Sequence, residues 1–236
     1  MTIKLFDLCG IDEDLRFSPF VWRTKLALKH KGLDFETIPW RFQEKDVLAP
    51  SGQGRVPVII DGPEDDPKSW VSDSWKIALY LEGAYPERPA LFPAGIEAMV
   101  FLRHWVERQL FPVIAPPVML PLQDLLSADD QAFFRKIREP RFGCTLEEFA
   151  QRDGETLDRF NQVLEPLRAT LRDQPFLGGE GRTMPTTTPL AHSNGRAVLR
   201  RMICCKRMTR FMIGVRGSLA YLMGTPPARP AGWRHS

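Results

Sequence analysis

The sequence predicts an α/β domain followed by an all-α domain, and three observations support this prediction. Strand and helix patterns alternate over roughly the first 85 residues. From Phe92 onward the patterns are long and helical, with no strand signal among them. A proline-rich stretch, YPERPALFPAG, separates the two parts and suits a linker. We therefore expect an α/β domain at 1–86, a linker at 87–91, a helical domain at 92–181 and a distinct tail at 182–236.

The elements of the first domain are marked by alternation, caps and breakers. Apolar residues predict strands in IKLFDL, FETIPW, RVPVIID and SWV, with a short helix between the second and the third. The first long helix begins at Ser18, an N-cap residue, with Pro19 at the first helical position, and it ends at Gly32. A second helix, WKIALYLEGAYP, follows Asp73 and Ser74, which suit its cap.

Three long segments predict the helices of the second domain. They are PAGIEAMVFLRHWVERQLFPVI, ADDQAFFRKIREPRF and TLEEFAQRDGETLDRFNQVLEPLRATLRD. Each segment carries apolar residues at helical spacing, which indicates one face packed on a core.

Composition predicts a folded, soluble, cytoplasmic protein. The chain has 236 residues, of which 43% are hydrophobic, and its start, MTIKLFDLCG, lacks the pattern of a secretory signal. No apolar run approaches the length of a membrane span. The four cysteines have no metal-ligand spacing, so we expect reduced thiols and no metal site; they are Cys9, Cys144, Cys204 and Cys205.

The net charge of +3 is divided unevenly along the chain. Residues 182–236 contain ten Lys and Arg and no acidic residue, whereas residues 1–181 contain 22 basic and 29 acidic residues. Such asymmetry is typical of an interaction tail, for example one that binds nucleic acid or an acidic membrane. A stretch of this length without any acid is nevertheless unusual.

Several strings resemble one family closely. SPFVWRTKLALKHKG, RVPVII, SDSWKIALYLEGAYPERPALFP and PFLGGEG resemble the glutathione S-transferases, in particular the lignin β-etherase-type class and its fungal relatives. The resemblance spans roughly the first 180 residues. It implies a thioredoxin-like first domain, glutathione as co-substrate, a small hydrophobic electrophile, a role in detoxification and a homodimer. It implies neither a nucleic-acid nor a membrane partner.

Ser18 is the candidate catalytic residue. Glutathione attacks as a thiolate, and lowering the pKa of its thiol by about two units requires about 2.7 kcal/mol. A helix N-terminus supplies about 0.3 to 2 kcal/mol, and a hydroxyl that donates to the sulfur supplies about 1.5 kcal/mol more. Ser18 stands where both act, and the resemblance favours a catalytic role over a cap alone. No tyrosine lies near the first strand, and Cys9, a rival nucleophile, is expected to be a buried structural thiol.

The resemblance also implies a glutathione-binding set. The Val56–Pro57 bond would be cis, so that the N–H and C=O of Val56 pair with the cysteinyl part of glutathione like an added strand. Ser74 would receive the γ-glutamyl carboxylate at the helix start, and Asp73 would face the ammonium. Residue types alone leave a strand-start proline and a plain helix cap as alternatives.

Arg55, Trp22 and Lys25 are weaker candidates for the same site. A basic residue on the first helix is typical of a solvated surface, and a tryptophan there is typical of a core. The electrophile pocket is expected between the domains, along the helix that contains Phe101, Trp105 and Phe111. An aromatic stripe at helical spacing is more typical of a core than of a site, so none of the three is chosen as a site residue.

The segment 182–236 departs from the family pattern. After PFLGGEG the relatives continue with a signature of the type P-N-Y-A-D-Y, and later with L-F-D-G, whereas this chain reads RTMPTTTPLAHSNGRAVL. Methionine has a single codon, so a shifted frame forces the residue at each methionine junction. Met202, Met208 and Met212 each give Asp, and with the ambiguous bases chosen freely the family's segments return in order.

We interpret the tail as out of frame through a frameshift or a splice difference. The helical domain would then be incomplete, with poor solubility and weak or absent catalysis expected. Two other functions stay open: a non-catalytic glutathione-binding protein, and a thioredoxin-like domain with a basic tail that binds nucleic acid or membrane.

Overall fold

Residues 2–151, 153–174 and 177 are described by the structure, which is a computed structural model. The tail at 182–236, with its predicted change of reading frame, lies outside the described residues.

A four-stranded mixed sheet forms the centre of the first domain. Its strands are β1 (Ile3–Leu8), β2 (Phe35–Trp40), β3 (Val58–Ile60) and β4 (Trp70–Ser72), in the order β2-β1-β3-β4. β1 pairs in parallel with β2 and antiparallel with β3, and β3 pairs antiparallel with β4. Parallel strands need a crossover, and α1 (Pro19–His30) supplies it between β1 and β2. The predicted α/β class of this domain is confirmed.

Both helices of the first domain begin at the predicted caps. Ser18 caps α1, and Gly32 follows the helix with a φ of 66°, a conformation that glycine adopts without strain. α2 (Ser74–Ala84) begins after Asp73, whose carboxylate accepts two backbone N–H groups.

The third strand is shorter than the predicted one. The sequence predicts a strand through RVPVIID, whereas β3 begins at Val58. Pro57 has no N–H to give to the ladder, so pairing starts only after it. A 3-10 helix at Lys45–Ser51 occupies the place of the predicted short helix, and another at Pro67–Ser69 leads into β4.

One core cluster lies between the sheet and its two helices. Its buried members come from β1, α1, β3 and α2 and from the chain that follows α2: Ile3, Leu5, Val21, Ala27, Leu28, Ile59, Ile77, Ala78, Leu81, Leu91, Phe92 and Met99. The connection between the domains therefore packs on the first domain through Leu91 and Phe92.

The second domain is helical, as predicted. Its helices are α3 (Ile96–Trp105), α4 (Phe111–Gln123), α5 (Ala128–Phe142), α6 (Leu146–Ala150) and α7 (Asp153–Asp173). A π-helical turn at 106–110 joins α3 to α4. A capping box between Thr145 and Glu148 begins α6.

α4 extends past the end that the sequence predicts at residue 114. Pro116, Pro117 and Pro121 all lie inside it, although an internal proline removes a helix hydrogen bond. α4 packs against α6 and α7, and this tertiary packing outweighs the local preference.

A second core cluster joins the two domains across the other face of the sheet. The sheet contributes Phe6, Leu8, Val58 and Ile60, and the helices contribute Val106, Leu110, Phe134, Leu164 and Leu167 among others. The sheet is thus covered on both faces.

The described part of the chain contains no helix with the length and apolar character of a membrane span. In the same residues, no group of three or more His, Cys, Asp or Glu side chains could hold a metal ion.

Candidate functional site

The candidate residues gather at the C-terminal end of β1. Ser18 and α1 follow that end through a loop, and antiparallel pairing brings the segment before β3 alongside it. The backbone N–H of Asp73 donates to the carbonyl of Pro57 at 3.2 Å, which ties the start of α2 to this segment. Three stretches that are distant in sequence therefore meet here.

Ser18 is positioned by the start of α1. It is 6% exposed, and its hydroxyl oxygen accepts the backbone N–H of Val21 at 3.3 Å. Among the described residues its O–H has no acceptor, so the proton is available to a ligand. The free N–H groups of the first turn give this helix end a partial positive charge. The capping role is confirmed, and the catalytic role stays a prediction.

Val56 presents a free backbone edge. The Val56–Pro57 peptide bond is cis, as the family resemblance implies. In the described part of the chain, neither the N–H nor the C=O of Val56 has a hydrogen bond. An extended ligand backbone could pair with both groups.

Asp73 and Ser74 form the N-terminal end of α2. Asp73 has a φ of 74°, and its Oδ1 accepts the N–H groups of Trp75 at 2.9 Å and Lys76 at 3.1 Å. Ser74 is 4% exposed, and at the first helical position its N–H has no intrahelical acceptor. The pair offers a carboxylate, a hydroxyl and a free N–H at one place.

Arg23 is a member of this site that the sequence analysis missed. It is 5% exposed, and its Nη1 donates to Ser74 Oγ at 3.4 Å and lies 3.8 Å from Glu107 Oε1. Burial lowers the pKa of Arg23, while Glu107 opposes that shift. The available signal was its position on α1, five residues after Ser18, but its partners are far away in sequence.

Lys25 is buried, so the predicted solvated basic face is wrong at this residue. Its ammonium pairs with the carboxylate of Asp7, and Arg16 Nε approaches the same carboxylate at 3.3 Å. The Lys25 Nζ atom lies 4.6 Å from the ring centroid of Trp22, whose indole N–H donates to the carbonyl of Arg16 at 3.0 Å. These four residues hold the segment that leads into Ser18.

Asp7 is the fully buried carboxylate of this network. Burial raises its pKa above the ordinary value, and the charges of Lys25 and Arg16 oppose the rise. A charged residue within the apolar strand IKLFDL was the available sequence signal, since a buried carboxylate requires partners.

Arg55 lies beside Val56 with its side chain exposed. Arg138, on α5, is half-buried, and burial lowers its pKa, with Arg141 and Arg55 lowering it further. Arg55 therefore contributes positive charge next to the free edge of Val56.

The aromatic residues named from sequence divide between two environments. Phe111 makes an edge-to-face contact with Phe20, with ring centroids 5.7 Å apart, and Phe20 follows Ser18 by two residues. Phe101 instead is 75% exposed, and Trp105 is half-buried against the second core cluster. Phe20 and Phe111 therefore form an aromatic pair close to Ser18 along the start of α1.

Cys9 is a buried structural thiol, as predicted. It is fully buried, and its thiol donates to the carbonyl of Trp40 at 3.5 Å. Burial raises the pKa of the thiol, which opposes thiolate formation.

Comparison with known proteins matches both halves of the chain to one family. The family model described as "Glutathione S-transferase, N-terminal domain" matches residues 17–84, and the one described as "Glutathione S-transferase, C-terminal domain" matches residues 99–186. Together the matches cover about two thirds of the chain.

Curated relatives carry the same name. A glutathione S-transferase from Hyoscyamus muticus is 28% identical over 177 residues, which cover 71% of this chain and 73% of that protein. A zeta-class glutathione S-transferase from Euphorbia esula is 38% identical over 80 residues, which cover 32% of this chain and 33% of that protein. The chain thus spans about a third of the zeta-class relative that it matches.

Solved structures of fungal proteins share the fold. Glutathione transferase GSTFuA3 from Phanerochaete chrysosporium has a TM-score of 0.74 at 23% identity, with 94% of this chain and 95% of that chain covered. The glutathione S-transferase CsGST83044 of Ceriporiopsis subvermispora, solved in complex with glutathione, has a TM-score of 0.66 at 23% identity. That match covers 92% of this chain and 99% of the other.

Proposed function

Because the chain belongs to the glutathione S-transferase family, we propose that it binds glutathione at the end of β1 and transfers it to an electrophilic or ether-linked aromatic substrate. The proposal rests on three kinds of group that lie at this end of the sheet. They are the available hydroxyl of Ser18, the unpaired backbone edge of Val56 and the α2 terminus at Asp73 and Ser74.

These groups suit the parts of glutathione in order. The N–H and C=O of Val56 pair with the cysteinyl backbone. Ser74 binds the γ-glutamyl carboxylate, and Asp73 attracts the ammonium. Since these residues take the middle and one end of the tripeptide, the glycyl carboxylate extends toward the exposed cation of Arg55.

Ser18 stabilises the reacting thiolate. The glutathione thiol loses its proton to solvent, and the sulfur accepts the Ser18 hydroxyl at the positive end of α1. The thiolate then attacks the electrophilic carbon, a C–S bond forms and the bond to the leaving group breaks. With an aryl ether the leaving group departs as a phenolate, which takes a proton from water.

The substrate class is an aromatic electrophile. Phe20 and Phe111 supply an edge-to-face aromatic surface beside Ser18, against which an aryl ring packs. The string SPFVWRTK, which resembles the lignin β-etherase-type class, supports an ether among the substrates.

We further propose a cytoplasmic homodimer that uses α3. Ile96, Val100 and Phe101 on this helix are exposed apolar side chains, of which Phe101 is 75% exposed. A dimer interface through α3 would cover them. We expect Phe101→Glu to shift the protein from dimer to monomer in analytical ultracentrifugation, and a dimer of unchanged stability would contradict this interface.

We attribute the tail at 182–236 to a change of reading frame. Its ten cations and absent acids support this reading, as do the family segments that return in the shifted frame. Sequencing the transcript across the codon for Gly181 tests it directly.

A two-stage experiment separates the candidate functions. Retention on a glutathione matrix tests binding, and turnover with an aryl halide and a β-aryl ether tests catalysis, each with the native chain and Ser18→Ala. We expect retention of both proteins and turnover by the native chain alone, and this turnover should be weak because the helical domain would be incomplete.

Other results identify the alternatives. Retention without turnover indicates a non-catalytic binding protein if it persists when the family frame is restored after Gly181. An absence of retention contradicts the proposal. Salt-dependent DNA binding that disappears when the chain is cut after Gly181 supports the basic-tail alternative.

A further inference from the structure

We propose that Arg23 is a positioning residue for glutathione, which acts through Ser74 and links the γ-glutamyl subsite to the helical domain. The inference rests on the proposed function, because it concerns how that same subsite is prepared. Arg23 caps neither helix and lies outside the free backbone edge of Val56, so the proposed function alone gives it no role.

A hydrogen bond of fixed direction links α1 to α2. Arg23 is 5% exposed, and its Nη1 donates to Ser74 Oγ at 3.4 Å. A guanidinium has donors and no acceptor, so the serine oxygen must accept. The hydroxyl proton of Ser74 is therefore left to point elsewhere.

The Ser74 hydroxyl can still donate a hydrogen bond while it accepts the one from Arg23. A serine hydroxyl donates one hydrogen bond and can accept two. With an acceptor position filled by a cation, the Ser74 O–H becomes a more polarised donor, and it can donate to an incoming carboxylate. Arg23 thus prepares Ser74 for the γ-glutamyl carboxylate, and its buried charge attracts the same anion.

Side chains of the helical domain hold Arg23 in place. Its Nη1 lies 3.8 Å from Glu107 Oε1, and the same oxygen pairs with Arg103 Nε at 3.2 Å. The Arg103 guanidinium lies 5.4 Å from the ring centroid of Trp75, the residue after Ser74. Glu107 lies in the π-helical turn between α3 and α4, and such turns are frequent at functional sites. The helical domain therefore fixes the cation that orients Ser74.

The geometry predicts that Arg23 and Ser74 act as one unit. Removing either side chain should weaken glutathione binding about tenfold, as expected for a hydrogen bond to a charged group. Removing both should weaken it by no more than about twofold beyond the larger single effect.

A double-mutant cycle tests this with the full chain. Isothermal titration calorimetry gives the dissociation constant of glutathione for the native protein, Arg23→Met, Ser74→Ala and the double variant. Arg108→Met is the matched control, since Arg108 is exposed and follows Glu107 in the same turn. Its dissociation constant should equal that of the native protein.

A glutathione analogue distinguishes positioning from structural damage. In 4-aminobutanoyl-cysteinylglycine the γ-glutamyl carboxylate is absent and the amine is kept. Arg23→Met should bind this analogue as the native protein does, whereas general damage to the site would weaken both ligands.

Arg23→Lys keeps the cycle usable if Arg23→Met does not fold. Lysine retains the charge and one donor but loses the fixed fork of the guanidinium. We expect Arg23→Lys to bind glutathione with a dissociation constant between that of the native protein and the tenfold higher value expected without the guanidinium. In the Ser74→Ala background, Arg23→Lys should weaken glutathione binding no further.

The possible failures are distinguishable. Native protein that does not bind glutathione overturns both the proposed function and this inference. Native binding together with additive effects in the cycle, or with equal losses for glutathione and the analogue, overturns the role of Arg23 alone.

Discussion

At the scale of single residues, the run Trp22 to Lys25 shows how polar side chains are accommodated on a buried helix face. Their polar groups reach a loop carbonyl, a hydroxyl at the start of α2, a carbonyl of the preceding turn and a carboxylate at the end of β1. Burial of a polar group is unfavourable unless it has such a partner. The string WRTK is therefore a set of specific connections around Ser18.

Lys25→Met should destabilise the fold through Asp7. The change leaves a fully buried carboxylate with only Arg16 as a cation, and breaking a buried ion pair costs about 3 to 5 kcal/mol. We expect a loss of about 3 kcal/mol at neutral pH in urea unfolding. Lys136→Met, at an exposed lysine of α5, is the control and should change stability by less than about 0.5 kcal/mol.

The stability loss caused by Lys25→Met should depend on pH in a defined direction. The pKa of Asp7 is higher in the folded chain than in the unfolded chain, mainly because of burial. The folded chain therefore binds this proton more readily, and lowering the pH favours folding. The loss caused by Lys25→Met should shrink as the pH falls through the raised pKa of Asp7, and a loss that stays constant would contradict this account.

At the scale of elements, local signals predicted the helix starts, and long-range contacts decided the rest. Ser18 and Asp73 could be identified as caps because the capping bond closes within three residues. The length of α4 could not, since its packing on α6 and α7 overrides its prolines. The roles of Arg23 and Lys25 were missed for the same reason, because each depends on a partner in another element.

Substitutions at Asp73 should separate the cap of α2 from ligand binding. Asparagine keeps the capping oxygen, and the strain of the backbone at φ 74° and ψ 126° is common to both side chains, so Asp73→Asn should retain stability within about 0.5 kcal/mol. It loses the charge that faces the ligand ammonium, and the KM for glutathione should rise severalfold.

Asp73→Ala should lose both properties. The lost cap, which accepted the N–H groups of Trp75 and Lys76, should destabilise the fold by about 1 kcal/mol in thermal or urea unfolding. Equal stability of the Ala and Asn variants would show that Asp73 does not act as the cap.

At the scale of the whole molecule, the second core cluster joins the sheet to helices of the second domain. Phe160, Leu164 and Leu167 of α7 are buried in it. Domain stability is only about 5 to 15 kcal/mol, so the loss of helices from the second domain would remove a large part of it. A tail read out of frame would not replace them.

Restoring the family reading frame after the codon for Gly181 should therefore raise the thermal stability of the protein. We expect the second domain of the native chain to unfold separately and at low temperature, and the restored chain to unfold in one cooperative transition at higher temperature in calorimetry. A native chain with one cooperative transition and the activity of its family would contradict the interpretation of the tail.

In the proposed site, Ser18 and the start of α1 stabilise the thiolate of bound glutathione. The most direct test is titration of the thiolate ultraviolet absorbance of bound glutathione, in the native protein and in Ser18→Ala. We expect a pKa about two units below that of free glutathione in the native protein, with about one unit regained in Ser18→Ala. A bound thiol that titrates like free glutathione, or a pKa that Ser18→Ala leaves unchanged, would contradict it.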